Sequence, residues 1–158
     1  MRNAGEANFG RGRQMNPPSG SEIECLFGVR HTRGMEIHEY SFEKLNFWQD
    51  ARMLAKNIYI ATSKFPRSEI YGLTSQCNRA VVSTAANIAE GSARQSPKDQ
   101  AHFSEIAYGS LMELACLLIL SSDVGLLLCA DEQTLRGSIQ SVSAQLNALH
   151  RSQRLRIS

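Results

Sequence analysis

The sequence of 158 residues contains no motif that signals catalysis or nucleotide binding. It has no Gly-x-x-x-x-Gly-Lys phosphate loop and no Gly-x-Gly-x-x-Gly fingerprint. Ser110 follows Gly109 but lacks the second glycine of a Gly-x-Ser-x-Gly nucleophile elbow. His102 and Glu105 form a single His-x-x-Glu pair, whereas di-metal helical bundles use two Glu-x-x-His elements and further glutamates. The sequence therefore predicts a non-enzymatic protein without catalytic residues, metal site, cofactor or small-molecule substrate.

Paired cysteines and long apolar runs are also lacking. Cys25, Cys77, Cys116 and Cys129 form no Cys-x-x-Cys pair and have no regular spacing, which predicts free thiols. The longest apolar run, residues 111–120, contains Glu113 and falls short of the roughly 20 residues of a membrane span. The N-terminal residues lack the apolar segment of a secretory signal. These features predict a cytoplasmic protein with no membrane partner.

The sequence has little excess of either charge. Residues 1–34 hold five of the 17 basic and three of the 15 acidic residues, so the remaining chain has equal numbers of both. Nucleic-acid-binding domains usually carry a clear basic surplus, and composition therefore gives RNA binding no support. The candidate nucleic-acid contacts, if any, are the following basic residues: Arg52, Lys56, Arg94, Lys98, Arg151, Arg154 and Arg156.

Composition divides the chain into three parts. Residues 1–34 are rich in Gly, Asn, Arg, Ser and Pro and lack periodicity, which predicts a disordered leader. Because the patterned sequence begins at Met35, translation from Met35 and translation from Met1 both remain open. Residues 35–152 are predicted to form the folded domain and residues 153–158 a basic tail.

Four segments of the folded domain have apolar residues at helical spacing. Their predicted core stripes are Phe47, Ala51, Leu54, Ala55, Ile58, Thr62 and Phe65; Leu73, Cys77, Ala80, Val81, Thr84, Ala85 and Ile88; Phe103, Ile106, Ala107, Ser110, Leu111, Leu114, Leu117 and Leu118; and Leu135, Ile139, Val142, Leu146 and Leu149. No alternating strand pattern appears. Four helices with short links predict an all-α, antiparallel up-down four-helix bundle.

Turn and capping residues set the expected helix ends. Pro66 should end the first helix, because the residue before a proline disfavours helical geometry. Gly91 is placed as a C-terminal cap of the second helix. Ser96 and Pro97 have the residue types that begin a helix, and Gly125 is placed at the end of the third helix.

The second and third helices carry apolar residues on more than one side. A helix that is apolar on two sides is normally buried on both, and a single bundle has only one interior. The sequence therefore predicts self-association, with the leader or the loops as the alternative cover for these residues. The predicted oligomer interface comprises Tyr108, Met112, Ala115, Cys116, Ile119, Val82 and Ala86.

A polar stripe runs along the second helix beside its core residues. It comprises Gln76, Arg79, Ser83, Asn87 and Glu90. Because unpaired buried polar groups cost about 1–3 kcal/mol, we expect these side chains to pair across helices or subunits. The alternative is a solvated face.

Three stretches resemble a known family: "FEKLNFWQDARMLAKNIY", "FPRSEIYGLTSQCNRAVVSTAANIAEGSAR" and "FSEIAYGSLMELACLLILSSDVGLL". They are similar to the four-helix-bundle family of ribosomal-RNA intervening-sequence proteins, itself similar to the accessory variability determinant of diversity-generating retroelements. The resemblance covers residues 42–127 and extends more loosely through the fourth helix. It implies a non-catalytic ring-like homo-oligomer, expected as a pentamer, and contact with RNA or a reverse transcriptase.

Two functions from different classes remain open. The first is a structural or adaptor oligomer whose partner is another protein. The second is an RNA-associated accessory protein, a partner of a ribosomal-RNA intervening sequence or a reverse transcriptase, in which the oligomer gathers basic residues from several copies.

Overall fold

The structure, a computed structural model, describes residues 38–157. Four long helices follow one another: α1, Asn46–Thr62; α2, Leu73–Ser92; α3, Pro97–Asp123; and α4, Cys129–Leu155. Short 3-10 turns at Ser41–Lys44 and Arg67–Glu69 precede α1 and α2. No strand occurs in this part of the chain, which confirms the all-α prediction. The predicted disordered leader, residues 1–34, lies outside the described residues.

The helices form a four-membered bundle. α1 packs on α2 and α4, and α3 packs on the same two helices. Links of a few residues join α2 to α3 and α3 to α4, so consecutive helices run antiparallel, as the sequence predicts.

One apolar core joins all four helices. Its largest fully buried side chains are Leu54, Ile58, Val81, Leu111, Leu114, Leu118, Val142 and Leu146. These residues belong to the stripes predicted from helical spacing. Ile106 is an error in that prediction, because 38% of it is exposed. At three to four residues per turn, Ile106 falls at the edge of the stripe, where periodicity alone does not decide burial.

The expected helix ends are only partly correct. Gly125 lies just beyond α3 with φ +76°, a left-handed conformation that glycine adopts without strain. Ser96 precedes Pro97 as predicted but makes no side-chain capping bond. Gly91 is not a cap, since α2 continues to Ser92 and Gly91 is buried within it. A Cβ atom at Gly91 would lie 3.0 Å from Phe103 Cβ, so this glycine allows α2 and α3 to approach closely.

The last helix extends beyond the predicted domain boundary at residue 152. α4 reaches Leu155, and Gln153 is 95% buried rather than part of a solvated tail. The basic residues around it, Arg151, Arg154 and Arg156, led the sequence analysis to treat this turn as a tail, although Gln153 continues the core spacing after Leu149.

Candidate functional site

Apolar side chains remain exposed on α2 and α3. Val82 is 47% exposed, Ile119 is 39% exposed, and Ala86 and Cys116 are exposed as well. Gly109 on α3 is also exposed, with open space where a Cβ atom would lie. We call this set, together with the misassigned Ile106, the α2–α3 face. It contains four of the seven residues predicted for an oligomer interface.

The other three predicted interface residues are more covered than expected. Tyr108, Met112 and Ala115 are half-buried, and Met112 and Ala115 pack against the chain's own core. Their helical spacing predicts a second face of α3 outside the core. Spacing alone does not show how far a neighbouring helix extends around α3, so their partial burial could not be predicted. Cys116 and Ile119 are therefore the better probes of association.

Among residues 38–157, α3 is the helix whose length and composition would allow it to cross a membrane. Core helices of globular bundles meet the same test, and Leu111, Leu114 and Leu118 of α3 are fully buried here. Yet only 33% of its most apolar 18-residue window is buried inside the protein. The other residues of that window are half-buried or exposed in the subunit.

Two members of the polar stripe pair across helices. Ser83 Oγ lies 2.9 Å from Ser110 Oγ, which joins α2 to α3 in a half-buried position. Arg79 forms an exposed ion pair with Glu113, with Nη2 and Oε1 3.7 Å apart. Exposed ion pairs of this length contribute at most about 1 kcal/mol. The Ser83–Ser110 contact is therefore the stronger cross-helix link of the stripe.

The remaining residues of the polar stripe do not pair with another helix among residues 38–157. The amide of Asn87 donates to the Ser83 carbonyl oxygen at 2.8 Å and to Ser83 Oγ at 3.2 Å, both within α2. Glu90 pairs with Arg94 one turn further along the chain, and Gln76 is exposed. Among residues 38–157 Asn87 therefore makes no cross-helix bond, because its short side chain reaches the preceding turn of its own helix.

Four of the basic candidates gather at one end of the bundle, where α3 begins and α4 ends. Lys98 and Arg154 line one cavity of about 420 Å³. Gln100 bridges Arg94 and Arg156: it donates to the Arg94 carbonyl oxygen at 2.7 Å and accepts from Arg156 at 3.4 Å. We call Arg94, Lys98, Arg154 and Arg156 the basic end.

The other basic candidates lie elsewhere along the helices. Arg52 and Lys56 are on α1, and Arg52 sits 5.9 Å from the centre of the Trp48 ring. Trp48 packs against the core, which favours a structural role for this pair over base stacking. Arg151 is exposed on α4.

A histidine–glutamate pair that the sequence did not indicate lies in the cavity of the basic end. His150 Nε2 of α4 is 3.0 Å from Glu105 Oε1 of α3, but this nitrogen makes no hydrogen bond within residues 38–157. The two residues are 45 positions apart in the sequence, and only the packing of α4 on α3 brings them close. Within residues 38–157 no three metal-ligating side chains come together.

The described cysteines are free. Cys116 and Cys129 are exposed, and Cys77 is fully buried. Burial raises the pKa of the Cys77 thiol, because the charged thiolate is poorly solvated in the core. Cys77 is therefore an inert core residue, and Cys25 lies outside the described part of the chain.

The family comparison decides the wider relationship. Residues 43–148 match the family described as 23S rRNA-intervening sequence protein. The chain belongs to this family. The match covers α1, α2, α3 and most of α4, so it confirms the resemblance of the three quoted stretches to the intervening-sequence protein family. No curated protein matches the chain.

Proposed function

We propose that this member of the intervening-sequence protein family is a cytoplasmic, non-catalytic adaptor that assembles into a ring-like homo-oligomer, with five subunits as the expected size. The observation that carries this proposal is the exposed apolar α2–α3 face. Burying one exposed aliphatic side chain contributes about 1.5–3 kcal/mol at most. Several such side chains on one face therefore favour covering it with another copy.

The small residues of the α2–α3 face favour a helix from a second copy as its cover. Ala86 and Gly109 are exposed and leave room for close backbone approach. In the same region the hydroxyl groups of Ser83 and Ser110 form a hydrogen bond with each other within the subunit. Arg79 and Glu113, which also join α2 to α3, pair with each other, so covering this surface with another helix would not leave either charge without a partner.

We expect the purified protein to be larger than the 17.5 kDa of one chain at micromolar concentration. Ile119→Glu should reduce the assembly towards that mass while the helical circular dichroism is retained, because a carboxylate would be buried unpaired in the interface. Met53→Glu is the matched control, since Met53 is 56% exposed on α1 and outside the face. Size-exclusion chromatography with light scattering measures both, and a wild-type mass near 17.5 kDa would refute the proposal.

Alkylation gives a second readout of the same assembly. In the native protein iodoacetamide should modify Cys129 quickly and the buried Cys77 slowly. Cys116 is exposed in the subunit, so slow modification in the wild type and fast modification in Ile119→Glu would indicate that another copy covers it. Equal rates for Cys116 and Cys129 in the wild type would argue against this face.

RNA association is a second candidate function, and the basic end is the observation that favours it. Arg94, Lys98, Arg154 and Arg156 lie at this end. Their charge is partly balanced there, because Asp99 and Glu105 line the same cavity and Glu90 pairs with Arg94. A ring would repeat this end in every subunit, and multivalency can raise the apparent affinity about 10²–10⁴-fold.

The expected RNA binding is weak, sensitive to salt and indifferent to sequence. Replacing both Lys98 and Arg154 with alanine should reduce the slope of log affinity against log salt by about 1.4 for single-stranded RNA. The control removes two other positive charges, with Lys64→Ala and Arg136→Ala. Fluorescence anisotropy with a labelled single-stranded RNA measures the slopes. Equal effects of the two double variants, or a complex that survives about 0.5 M salt, would contradict a role for the basic end.

A further inference from the structure

An open groove lies between α1 and α2, beside the link that joins them. Its volume is about 560 Å³. Tyr59 of α1, Ile70 of the link and Val82 of α2 form its apolar part, and each of these side chains is about half-exposed. Thr74 and Ser75 of α2 add small polar groups. We call these five residues the α1 groove. Apolar and aromatic side chains bordered by polar ones are typical of a protein–protein contact.

The α1 groove and the α2–α3 face extend to different helices of the bundle. Both include Val82 on α2, but the groove continues to Tyr59 on α1, whereas the face continues to Ile119 on α3. Within residues 38–157 α1 and α3 do not contact each other, since each packs on α2 and α4. One subunit can therefore contact one neighbour through α1 and a second neighbour through α3.

The proposed ring needs two unlike surfaces on every subunit. A two-fold contact joins the same patch of two copies and closes at a dimer, whereas a larger ring repeats a contact between two different patches. The α2–α3 face supplies one of these patches. Another exposed apolar surface of the same subunit must supply the second.

The charges of α1 and α3 are complementary. α3 contains one lysine, Lys98, and no arginine. Its acidic residues are Asp99, Glu105, Glu113 and Asp123. α1 contains Arg52 and Lys56 but only one acidic residue, Asp50. Complementary charge favours a contact between α3 of one copy and α1 of another over a contact between two copies of α3.

Two of these charges lie directly beside the apolar surfaces. Arg52 is exposed two turns before Tyr59, on the same side of α1. Asp123 is exposed one turn after Ile119, on the same side of α3. Each apolar surface is therefore bordered by a charge of the sign that the other lacks.

We infer that the α2–α3 face of one copy packs into the α1 groove of the next copy, and that this head-to-tail contact closes the ring. The inference rests on the proposed assembly and adds the surface that receives the α2–α3 face. The apolar side chains of α3 pack beside Tyr59, and the acidic side of α3 meets the basic side of α1.

Mixing two variants of the full-length protein tests this contact. Ile119→Glu damages the face and leaves the groove intact, whereas Tyr59→Glu damages the groove and leaves the face intact, because each buries an unpaired carboxylate. Each variant alone should have the 17.5 kDa mass of one chain. An equal mixture should form a heterodimer of twice that mass and nothing larger, since it restores one contact and leaves both outer surfaces damaged.

Size-exclusion chromatography with light scattering measures these masses, and circular dichroism checks that the helices are retained. The mixture is measured at about 0.5 mM, because a single contact lacks the multivalency of a closed ring. Met53→Glu is the control, since Met53 is exposed on the same helix as Tyr59 but does not line the groove, and it should leave the assembly intact. Ser75→Glu adds a carboxylate to the groove from an exposed position of α2, so it replaces Tyr59→Glu if that variant loses its helices.

The outcomes separate this inference from the proposed assembly. A wild-type mass near 17.5 kDa would refute the ring and the inference with it. An assembled wild type that neither Tyr59→Glu nor Ser75→Glu changes would overturn the inference alone, because the α2–α3 face would then meet another surface. A mixture that stays monomeric would also overturn it. So would loss of the assembly in Met53→Glu, which would assign the effect to added charge rather than to the groove.

Discussion

Replacing Leu118 with alanine is expected to lower the free energy of unfolding by about 2–5 kcal/mol. Leu118 is fully buried and lies towards the C-terminal end of α3, the helix that packs on both α2 and α4. The substitution removes three carbon atoms and leaves a cavity that the rigid helices cannot fill completely. Alanine has the better helix propensity, but that gain is only a few tenths of a kcal/mol and cannot offset the loss.

Leu155→Ala is the matched control for this prediction. Leu155 is 75% exposed at the end of α4, so the same substitution there should change stability by less than about 0.5 kcal/mol. Chemical denaturation followed by circular dichroism measures both variants. The protein concentration must be the same throughout, because association would couple to unfolding. Similar effects of the two substitutions would mean that α3 is not the core helix.

The helices and most of the core could be predicted because both depend on local periodicity. The stripes containing Leu54, Val81, Leu114 and Val142 repeat every three or four residues, and this spacing places them on one side of a helix whatever the rest of the chain does. Gly125 was predictable for a similar reason, since the left-handed conformation after a helix favours glycine.

The features that depend on how helices pack were harder to predict. Gly91 and Gly125 look alike in sequence, yet one allows two helices to approach closely and the other ends a helix. Asn87 was expected to pair across helices or subunits, and within the subunit it bonds instead to a residue one turn earlier in its own helix. The pairs His150–Glu105 and Gln153–Ser104 join residues more than 40 positions apart, and helical spacing contains no information about which α4 residue meets which α3 residue.

The candidate surfaces were likewise predictable where they depend on helical periodicity and not where they depend on helix packing. Exposed apolar residues such as Val82 and Ile119 could be identified because they lie away from the core stripe of their helices. The limit of that surface could not be found, because α4 and the core cover Met112 and Ala115 to an extent that depends on the packing distance. The sequence also named basic residues of α1, of the link between α2 and α3, of α3 and of the end of α4 as one set, whereas the fold gathers only those near one end of the bundle.

Gly91→Leu is expected to destabilise the protein by up to about 2 kcal/mol, even though leucine favours helix formation more than glycine does. Within α2 the substitution gains about 1 kcal/mol of helix propensity. Against this, a Cβ atom at position 91 would already lie 3.0 Å from Phe103 Cβ, and the rest of the leucine side chain would have to enter the contact between α2 and α3. Overpacking of a close contact costs about 1–3 kcal/mol and sometimes more.

Gly137→Leu provides the comparison, because Gly137 lies within α4 with open space around its Cβ position. There the gain in helix propensity is unopposed, so stability should rise by up to about 1 kcal/mol. The propensity gain is the same at both positions, so these two identical substitutions should differ in their effect on unfolding by the overpacking cost, about 1–3 kcal/mol. Denaturant midpoints at equal protein concentration measure the difference. A stabilising effect of Gly91→Leu would show that α2 and α3 do not approach closely at this glycine, and a destabilising effect of equal size at both positions would point to a general cost of the larger side chain.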